Sequence, residues 1–402
     1  MMYGRWIRDT KYLLSATKKL MPTGLVPYVQ SRLTIPLNII DDRVHWTLDI
    51  SSIQGKLEPY QQEVLSQIQQ KKRCIVCLPT GSGKTYMYSV VSAFIDKKVA
   101  IVVPAKEVLD QVERTLREYT NDFVVFWGPK TDLDKRIVIS TAGTLAARFN
   151  YIREEMSTVE VLFADEAHYY GANSFFRVSH LFPRAHYRVG FSATPVGRSD
   201  KADLRVLGVF SPEMIYTTHK IDRIVPVSVV FLDYTKNNPA FSDPEDYEAL
   251  LKDRRRIQAI CWIASQLRDT QIPFLIFVDR LELGEKIAFH LQIPFVTANS
   301  NDRGKVFQQI RENKLIGAVT TIGHTGLDIP VLMAIINTVR DTTPISLGQR
   351  AGRVMRKLDS KNIGVVFDFL DRGRLPARWA SKRMRVYQAL GFSVMTLEVP
   401  ML

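Results

Sequence analysis

Cysteine is scarce in this chain, with Cys74, Cys77 and Cys261 the only three in 402 residues. That excludes a disulfide framework and fits a reducing compartment. Cys74 and Cys77 stand at C-x-x-C spacing, but no second pair exists and both fall inside an apolar run, so a buried strand is favoured over metal or redox chemistry. No convincing metal-ligand or nuclease cluster is present. No apolar run approaches the length that spans a bilayer, and the start, MMYGRWIRDTKYLLSATKK, scatters charge where a secretory leader needs an apolar block. The chain is therefore expected to stay in the cytoplasm, away from membranes. Acidic residues are also short, 41 against 54 Lys and Arg, for a net charge of +13. Most of that excess lies late: from Leu251 to Leu402 there are 23 Lys and Arg against 13 Asp and Glu. A basic surface of this kind suits a polyanionic partner, although charge alone does not distinguish nucleic acid from simple solvation.

What is there begins with CIVCLPTGSGKT, Cys74 to Thr85. The run from Cys74 to Leu78 reads as a buried strand, the loop carries Thr80, Gly81, Ser82 and Gly83, and YMYSVVSAFI reads as a helix. Strand, glycine loop and helix together are the sequence form of a nucleoside triphosphate site. Glycines let backbone N–H groups turn in around the phosphates, and the helix directs its positive end at them. Lys84 is placed to neutralise the β- and γ-phosphates and Thr85 to hold Mg²⁺, so ATP and Mg²⁺ are the expected cofactors. Leu78 stands where the general pattern has a small residue; Gly81 and Gly83 preserve the loop.

At 402 residues, two domains with extra segments are expected. Residues 1–53 form a small accessory piece with a short helix in LLSATKKL and two strands around Asp41-Asp42, too small for a core of its own and so leaning on its neighbour. A first domain spans 54–235. Its helix begins at Pro59, and the strand-like runs KVAIVVP, FVVFW, RIVIST, VEVLFAD and YRVGFSAT alternate with helices, as in a mostly parallel sheet covered on both faces. Ligands collect at the carboxyl ends of such strands, where the glycine loop, Asp165 and Ser192 all fall. Asp165 is suited to holding Mg²⁺ and Glu166 to orienting and deprotonating water. His168 is weaker evidence, since a lone His is often only a hydrogen-bonding residue.

The Asn/Pro/Ser/Asp cluster marks a linker, 236–250, after the strand IVPVSVVFLDY. A second α/β domain, 251–402, repeats the alternation without a phosphate loop of its own. Within it TTIGHTGLDIP supplies glycines, hydroxyls and backbone groups at a strand end, Thr321 and Gly323 among them, of the kind that line a phosphate track. QRAGRVMR places Arg350, Arg353 and Arg356 at a spacing that repeats one helical face. In isolation those arginines read as a salt-bridged surface. In a domain that lacks a triphosphate loop, arginine fingers serving a neighbour's site fit better. PARWASKRMRVYQALGF is a basic helix with Trp379 and Tyr387, lying on a phosphate backbone or packing back on its domain.

In this order the motifs resemble those of the superfamily 2 helicases and translocases, over about residues 57–392. LEPYQ resembles the glutamine motif, with Gln61 as adenine reader, although Glu58 stands where the family often has Arg. PTGSGKT resembles motif I, VVPAKEVLDQ motif Ia, STAGTL motif Ib, DEAH motif II, SAT motif III, FLIFVD motif IV, TTIGHTGLDIP motif V and QRAGRVMR motif VI. The resemblance implies an α/β fold of two tandem RecA-like domains with a small N-terminal accessory domain. It further implies Arg353 and Arg356 as fingers and Gln349 and Asp328 as couplers of site and cleft. Ser192 and Thr194 would relay between nucleotide and nucleic acid, with Pro104, Thr141, Thr321, Gly323 and Arg350 on the nucleic-acid side. RRRIQAICWIA and the ending RVYQALGF look most like the branch-migration helicases of the UvsW, XPB and RecG kind. Those imply DNA forks, junctions and single-strand/duplex boundaries as partners, typically tracked 3′ to 5′, with replication or recombination proteins beside them. A monomer is expected, in the host cytoplasm if phage-encoded. An RNA helicase, an unwinding-free duplex translocase and a non-catalytic clamp are the rivals; the clamp should carry decayed catalytic positions, whereas Lys84, Glu166, Arg353 and Arg356 are all present.

Overall fold

The computed structural model describes residues 21–34, 38–41, 43–129, 131–195, 202–235, 243–322, 329–359 and 361–400. The chain divides into two units, the second taking Asp222–Leu402 together with Thr80–Ser82. Each is built on a seven-stranded sheet in which every pairing is parallel.

In the first unit the strands are β1 (Arg73–Cys77), β2 (Val99–Val103), β3 (Phe123–Val125), β4 (Ile137–Thr141), β5 (Val161–Asp165), β6 (Tyr187–Ser192) and β7 (Met214–Ile215), in the order β3-β4-β2-β5-β6-β1-β7. Helices α1 (Pro59–Lys71), α2 (Lys84–Phe94), α3 (Lys106–Arg117) and α4 (Ala142–Ala147) precede or connect them. The central strands β2, β5 and β6 are buried at every position, which is why they read as continuous apolar runs with no alternation. The described residues between 21 and 53 belong to this unit, as a piece without a core must. Trp46 stacks on Tyr187, the Tyr187 hydroxyl accepts from the Leu48 amide at 3.0 Å, and Gln69 donates to the Leu48 carbonyl at 2.6 Å. The two strands expected around Asp41-Asp42 are absent from the described residues there, which form helical turns at Thr23–Leu25 and Val26–Gln30 and otherwise irregular chain. The short helix expected in LLSATKKL lies outside the described residues.

The second unit holds β8 (Val227–Asp233), β9 (Phe274–Phe277), β10 (Phe295–Val296), β11 (Gly317–Thr320), β12 (Ala334–Asn337), β13 (Gly364–Phe369) and β14 (Ser393–Glu398), in the order β10-β11-β9-β12-β13-β8-β14. Its helices include α5 (Arg254–Asp269), α6 (Pro344–Gly352) and α7 (Pro376–Ala389). This corrects the expected boundary. The IVPVSVVFLDY strand, read as the end of the first domain, is β8 and pairs with β13 and β14 along its whole length. Residues 243–250 of the expected linker likewise belong to the second unit, and Tyr247–Lys252 is helical. An all-apolar strand carries no mark of which sheet it joins; its partners, more than 130 residues later, decide that.

The basic ending packs back on its own unit. On α7, Arg383 and Tyr387 are fully buried, within one connected polar cluster. Arg383 bonds Asp368 at 2.9 Å and Asp371 at 3.0 Å, Arg256 of α5 bonds Asp371 at 2.9 Å, and Tyr387 and Asn337 both donate to Asp368. Charges so deeply placed are tolerable because each is paired and hydrogen-bonded.

Candidate active site

The first unit gathers its chemistry at the carboxyl edge of the sheet. The loop after β1 turns through two glycines in the left-handed region, Gly81 at φ 83° and Gly83 at φ 76°, and α2 starts at Lys84. At Gly83 a side chain is excluded twice over, by φ and because a Cβ would sit 2.9 Å from the Gln61 amide. Gln61 itself is held by the start of α1: its Oε1 accepts from the Glu58 amide at 3.1 Å, and its Nε2 donates to the Gly83 carbonyl at 3.4 Å. The Glu58–Gln61 capping box thus fastens the candidate adenine reader to the phosphate loop, and Glu58, unlike Arg, serves as its cap.

The Lys84 ammonium donates to the carbonyls of Leu78 and Pro79, each at 3.0 Å. It therefore lies over the loop whose amides would cradle phosphates. Asp165, the last residue of β5, is buried; its Oδ1 accepts from the Glu166 amide at 2.9 Å and its Oδ2 from the Tyr88 hydroxyl at 3.3 Å. Tyr88 is one turn beyond Lys84 on α2, so the phosphate-loop helix and the carboxylate strand are joined directly. Burial raises the Asp165 carboxyl above its ordinary value, opposed by the Lys84 charge and by the two donors. A carboxylate penalised by desolvation gains most from a cation, and with the Thr85 hydroxyl on the facing helix this donor set fits Mg²⁺ held partly by phosphate oxygens. Among the described residues no group of three or more His, Cys, Asp or Glu is arranged to hold a metal by itself.

Glu166 adopts a left-handed backbone, φ 48° and ψ 57°, which turns the chain out of β5 at once into the single turn Ala167–Gly171. There His168 does more than the sequence indicated. Its buried Nδ1 lies 3.3 Å from Glu166 Oε2 and 3.1 Å from Ser192 Oγ, and Ser192 Oγ accepts from the Thr194 amide at 3.2 Å. One imidazole therefore links the β5 carboxylate to the hydroxyl ending β6. The available signal was the spacing, two residues after Glu166, together with a second strand ending in Ser; no rule of periodicity predicts that the two meet.

The remaining residues fall as follows. Pro104 immediately follows β2, and Thr141 ends β4, where its Oγ1 caps α4 by accepting from the Thr144 amide at 3.1 Å. Both lie on the same carboxyl edge as the phosphate loop. Thr80 and Ser82 belong to that loop. In the second unit Thr321 follows β11, while Gly323 and Asp328 lie outside the described residues. Gln349 and Arg350 are buried on α6. The expected common helical face is not formed: α6 ends at Gly352, Arg353 is its C-cap, and Arg356 pairs with Ile224 in a β-bridge. Arg350 is only 2% exposed, so it is no surface contact; burial lowers its basicity, opposed by Tyr387, Asp341 and Asp368. Cys74 and Cys77 are buried in β1, and burial pushes the Cys77 thiol up to about 11.

Residues 54–197 match the family described as type III restriction enzyme, res subunit, and residues 255–357 the family described as helicase conserved C-terminal domain. A relative in Sulfurisphaera tokodaii named DNA 3′-5′ translocase XPB2 is 21% identical over 408 residues, covering 89% of this chain and 90% of its own. A Halobacterium salinarum relative bearing the helicase name Rad25 is 27% identical over 363 residues, 84% of this chain, which spans only 58% of that relative. Among solved structures, the ATP-dependent type ISP restriction-modification enzyme LlaBIII bound to DNA aligns with TM-score 0.61 at 17% identity, over 85% of this chain and 31% of that one. At that identity the likeness concerns the fold.

Proposed function

Because the chain belongs to superfamily 2 of the helicases and translocases, as an ATP-hydrolysing helicase, we propose that its substrate is DNA at forks, junctions and single-strand/duplex boundaries. ATP turnover would move it along one strand through backbone contacts, independently of sequence. The observation that carries this reading is the Glu166–His168–Ser192 connection, which ties the carboxylate beside the phosphate loop to the neighbouring strand end.

In this mechanism the amides of Thr80, Gly81, Ser82 and Gly83 and the start of α2 hold the phosphates, and Gln61 reads the adenine. Lys84 exchanges the Leu78 and Pro79 carbonyls for phosphate oxygens. Thr85 and Asp165 would hold Mg²⁺, whose charge would stabilise the transferring phosphoryl group. Glu166 orients the attacking water and takes its proton, and His168 transmits the position of that carboxylate to Ser192 and Thr194. Pro104, Thr141, Thr321 and Gly323 are assigned to the DNA backbone. Gln349, Arg353, Arg356 and Asp328 are assigned to sensing the nucleotide from the second unit, and buried Arg350 to positioning α6. The name DNA 3′-5′ translocase, borne by a relative that aligns over most of both chains, favours DNA over RNA.

ATPase assays with forked DNA, plain duplex and RNA, paired with ATP-dependent strand displacement on the same substrates, test the reading. Forked DNA is expected to stimulate hydrolysis most and to lose its paired strand. Stimulation by RNA alone would overturn the DNA assignment.

A further inference from the structure

At the other edge of the first sheet, where β1 and β6 begin, Thr23, Gly24, Pro27, Asp41, Arg43 and His45 of the N-terminal segment line a recess of about 300 Å³. Five residues of β1 separate it from the phosphate loop, roughly 16 Å at strand rise. Its wall is basic out of proportion to its acids. Of its two carboxylates, Asp41 is engaged by Arg43 and Glu213 by Lys71. Arg73 bonds only neutral oxygens, the carbonyls of Phe210 at 3.1 Å and Val209 at 2.9 Å and the Thr23 hydroxyl at 2.6 Å. Behind the wall, buried Arg188 likewise donates to the carbonyls of Ser179 and Phe182. Lys72, held at φ 61° just after α1, makes no ion pair among the described residues. Lys72, Arg73 and Arg188 thus share one region with no carboxylate of their own.

The second observation is His186, which lines the recess at 3% exposure with neither ring nitrogen bonded among the described residues. The rings of His45, Trp46 and Tyr187 pack against it without giving it a hydrogen bond. A buried polar side chain without a partner is costly. Positive charges crowded without carboxylates are costly too. One compact anion in the recess relieves both.

We propose that this recess is a second anion site, distinct from the phosphate loop, that takes a phosphoryl dianion, either free or at the end of a nucleic acid strand. Lys72 and Arg73, the lining cations that no carboxylate pairs among the described residues, supply its charge, with Arg43 beside them already on Asp41, and His186 supplies a hydrogen bond. Because Arg43 and Thr23 come from the N-terminal segment while Lys72, Arg73 and His186 come from the sheet and its flanks, the bound anion fastens that segment to the first unit.

His186 reports occupancy directly. Burial first, then Lys72, Arg43 and His45, hold it down at about 4, with Asp41 opposing; Arg73, Lys71 and Glu213 complete the charged groups around the recess. A dianion beside it reverses the local potential and raises that value. The experiment uses the full chain labelled at histidine, with the His186 resonance identified by its loss in His186→Gln. It is titrated with inorganic phosphate against chloride at constant ionic strength. Phosphate is expected to raise the His186 pKa by about one unit or more and to raise the melting temperature. Lys72→Gln, at a half-buried position, should weaken phosphate binding by roughly tenfold. Lys84→Ala, which disables the phosphate loop, should leave the His186 response intact, so this proposal and the ATP-site reading fail separately. A 5′-phosphorylated oligonucleotide that moves the resonance where its 5′-hydroxyl twin does not identifies a strand end as the source; a response to inorganic phosphate alone identifies the free anion. No response to either phosphate source, an equal response to chloride, or loss of the response in Lys84→Ala overturns the site.

Discussion

Glu166 pays backbone strain for its position: a non-glycine residue at φ 48° costs on the order of 1–3 kcal/mol. That conformation turns the carboxylate out of β5 and sets it 3.3 Å from His168. Glu166→Gln keeps the shape and removes the base. It is expected to bind ATP with unchanged affinity and to lose turnover by about 10²–10⁴-fold. Nucleotide-binding titration beside steady-state ATPase measurement checks this, and normal turnover would remove Glu166 from the reaction. His168→Ala removes the imidazole that bridges Glu166 and Ser192 while leaving the Glu166 side chain itself in place. Basal hydrolysis should change little, while DNA stimulation falls by about tenfold, the size of a modest coupling energy. A ratio of stimulated to basal rate equal to that of the parent chain would show the imidazole to be only packing.

Among the elements, α5, α7 and β13 are held by the Arg256–Asp371–Arg383–Asp368 cluster rather than by apolar contact alone. Removing Asp371 leaves the buried Arg256 guanidinium without its carboxylate and Arg383 with Asp368 alone. Asp371→Ala should therefore destabilise the second unit by about 3–5 kcal/mol, read as a lowered urea midpoint of its transition. This cluster was not legible in the sequence. PARWASKRMRV reads as a basic helix that lies on a phosphate backbone or packs back on its domain, because spacing records that arginines share a face and says nothing of the carboxylates they meet, 12 and 15 residues before Arg383 and 115 beyond Arg256. Helix α6 carries the same lesson. Thr343 and Pro344 mark its start plainly, but the i, i+3 spacing of Arg353 and Arg356 continued past the point where the chain leaves the helix. The phosphate loop was legible because its geometry is local: glycines at positive φ, a preceding strand and a following helix occupy a dozen consecutive residues.

Across the whole molecule, the net charge of +13 argues that DNA affinity is dominated by phosphate contacts. Raising salt from about 50 to 200 mM should weaken binding about a hundredfold or more, with little dependence on base sequence, as fluorescence anisotropy would register. A salt-insensitive or strongly sequence-selective isotherm would contradict backbone tracking. Acid stability carries a second global signal. His186 stands near 4 in the folded chain against an ordinary 6.5, so between those values the unfolded chain binds more protons and stability falls as pH falls. His186→Gln should flatten the stability curve between pH 6.5 and 4 relative to the parent, measured by chemical denaturation at each pH. An unchanged slope would mean that the imidazole is not buried neutral.

Local order alone determined the phosphate loop, the strand-end carboxylates, the α/β alternation and the succession of helicase motifs, since each rests on neighbours within a few residues of chain. Tertiary structure decided which sheet β8 joins, that Arg350 and Arg383 are interior, that His168 connects two strand ends, and that basic residues from opposite parts of the first unit enclose one recess. Those outcomes depend on which distant groups become adjacent on folding, and a parallel sheet sets that adjacency through crossovers whose order the one-dimensional pattern does not carry.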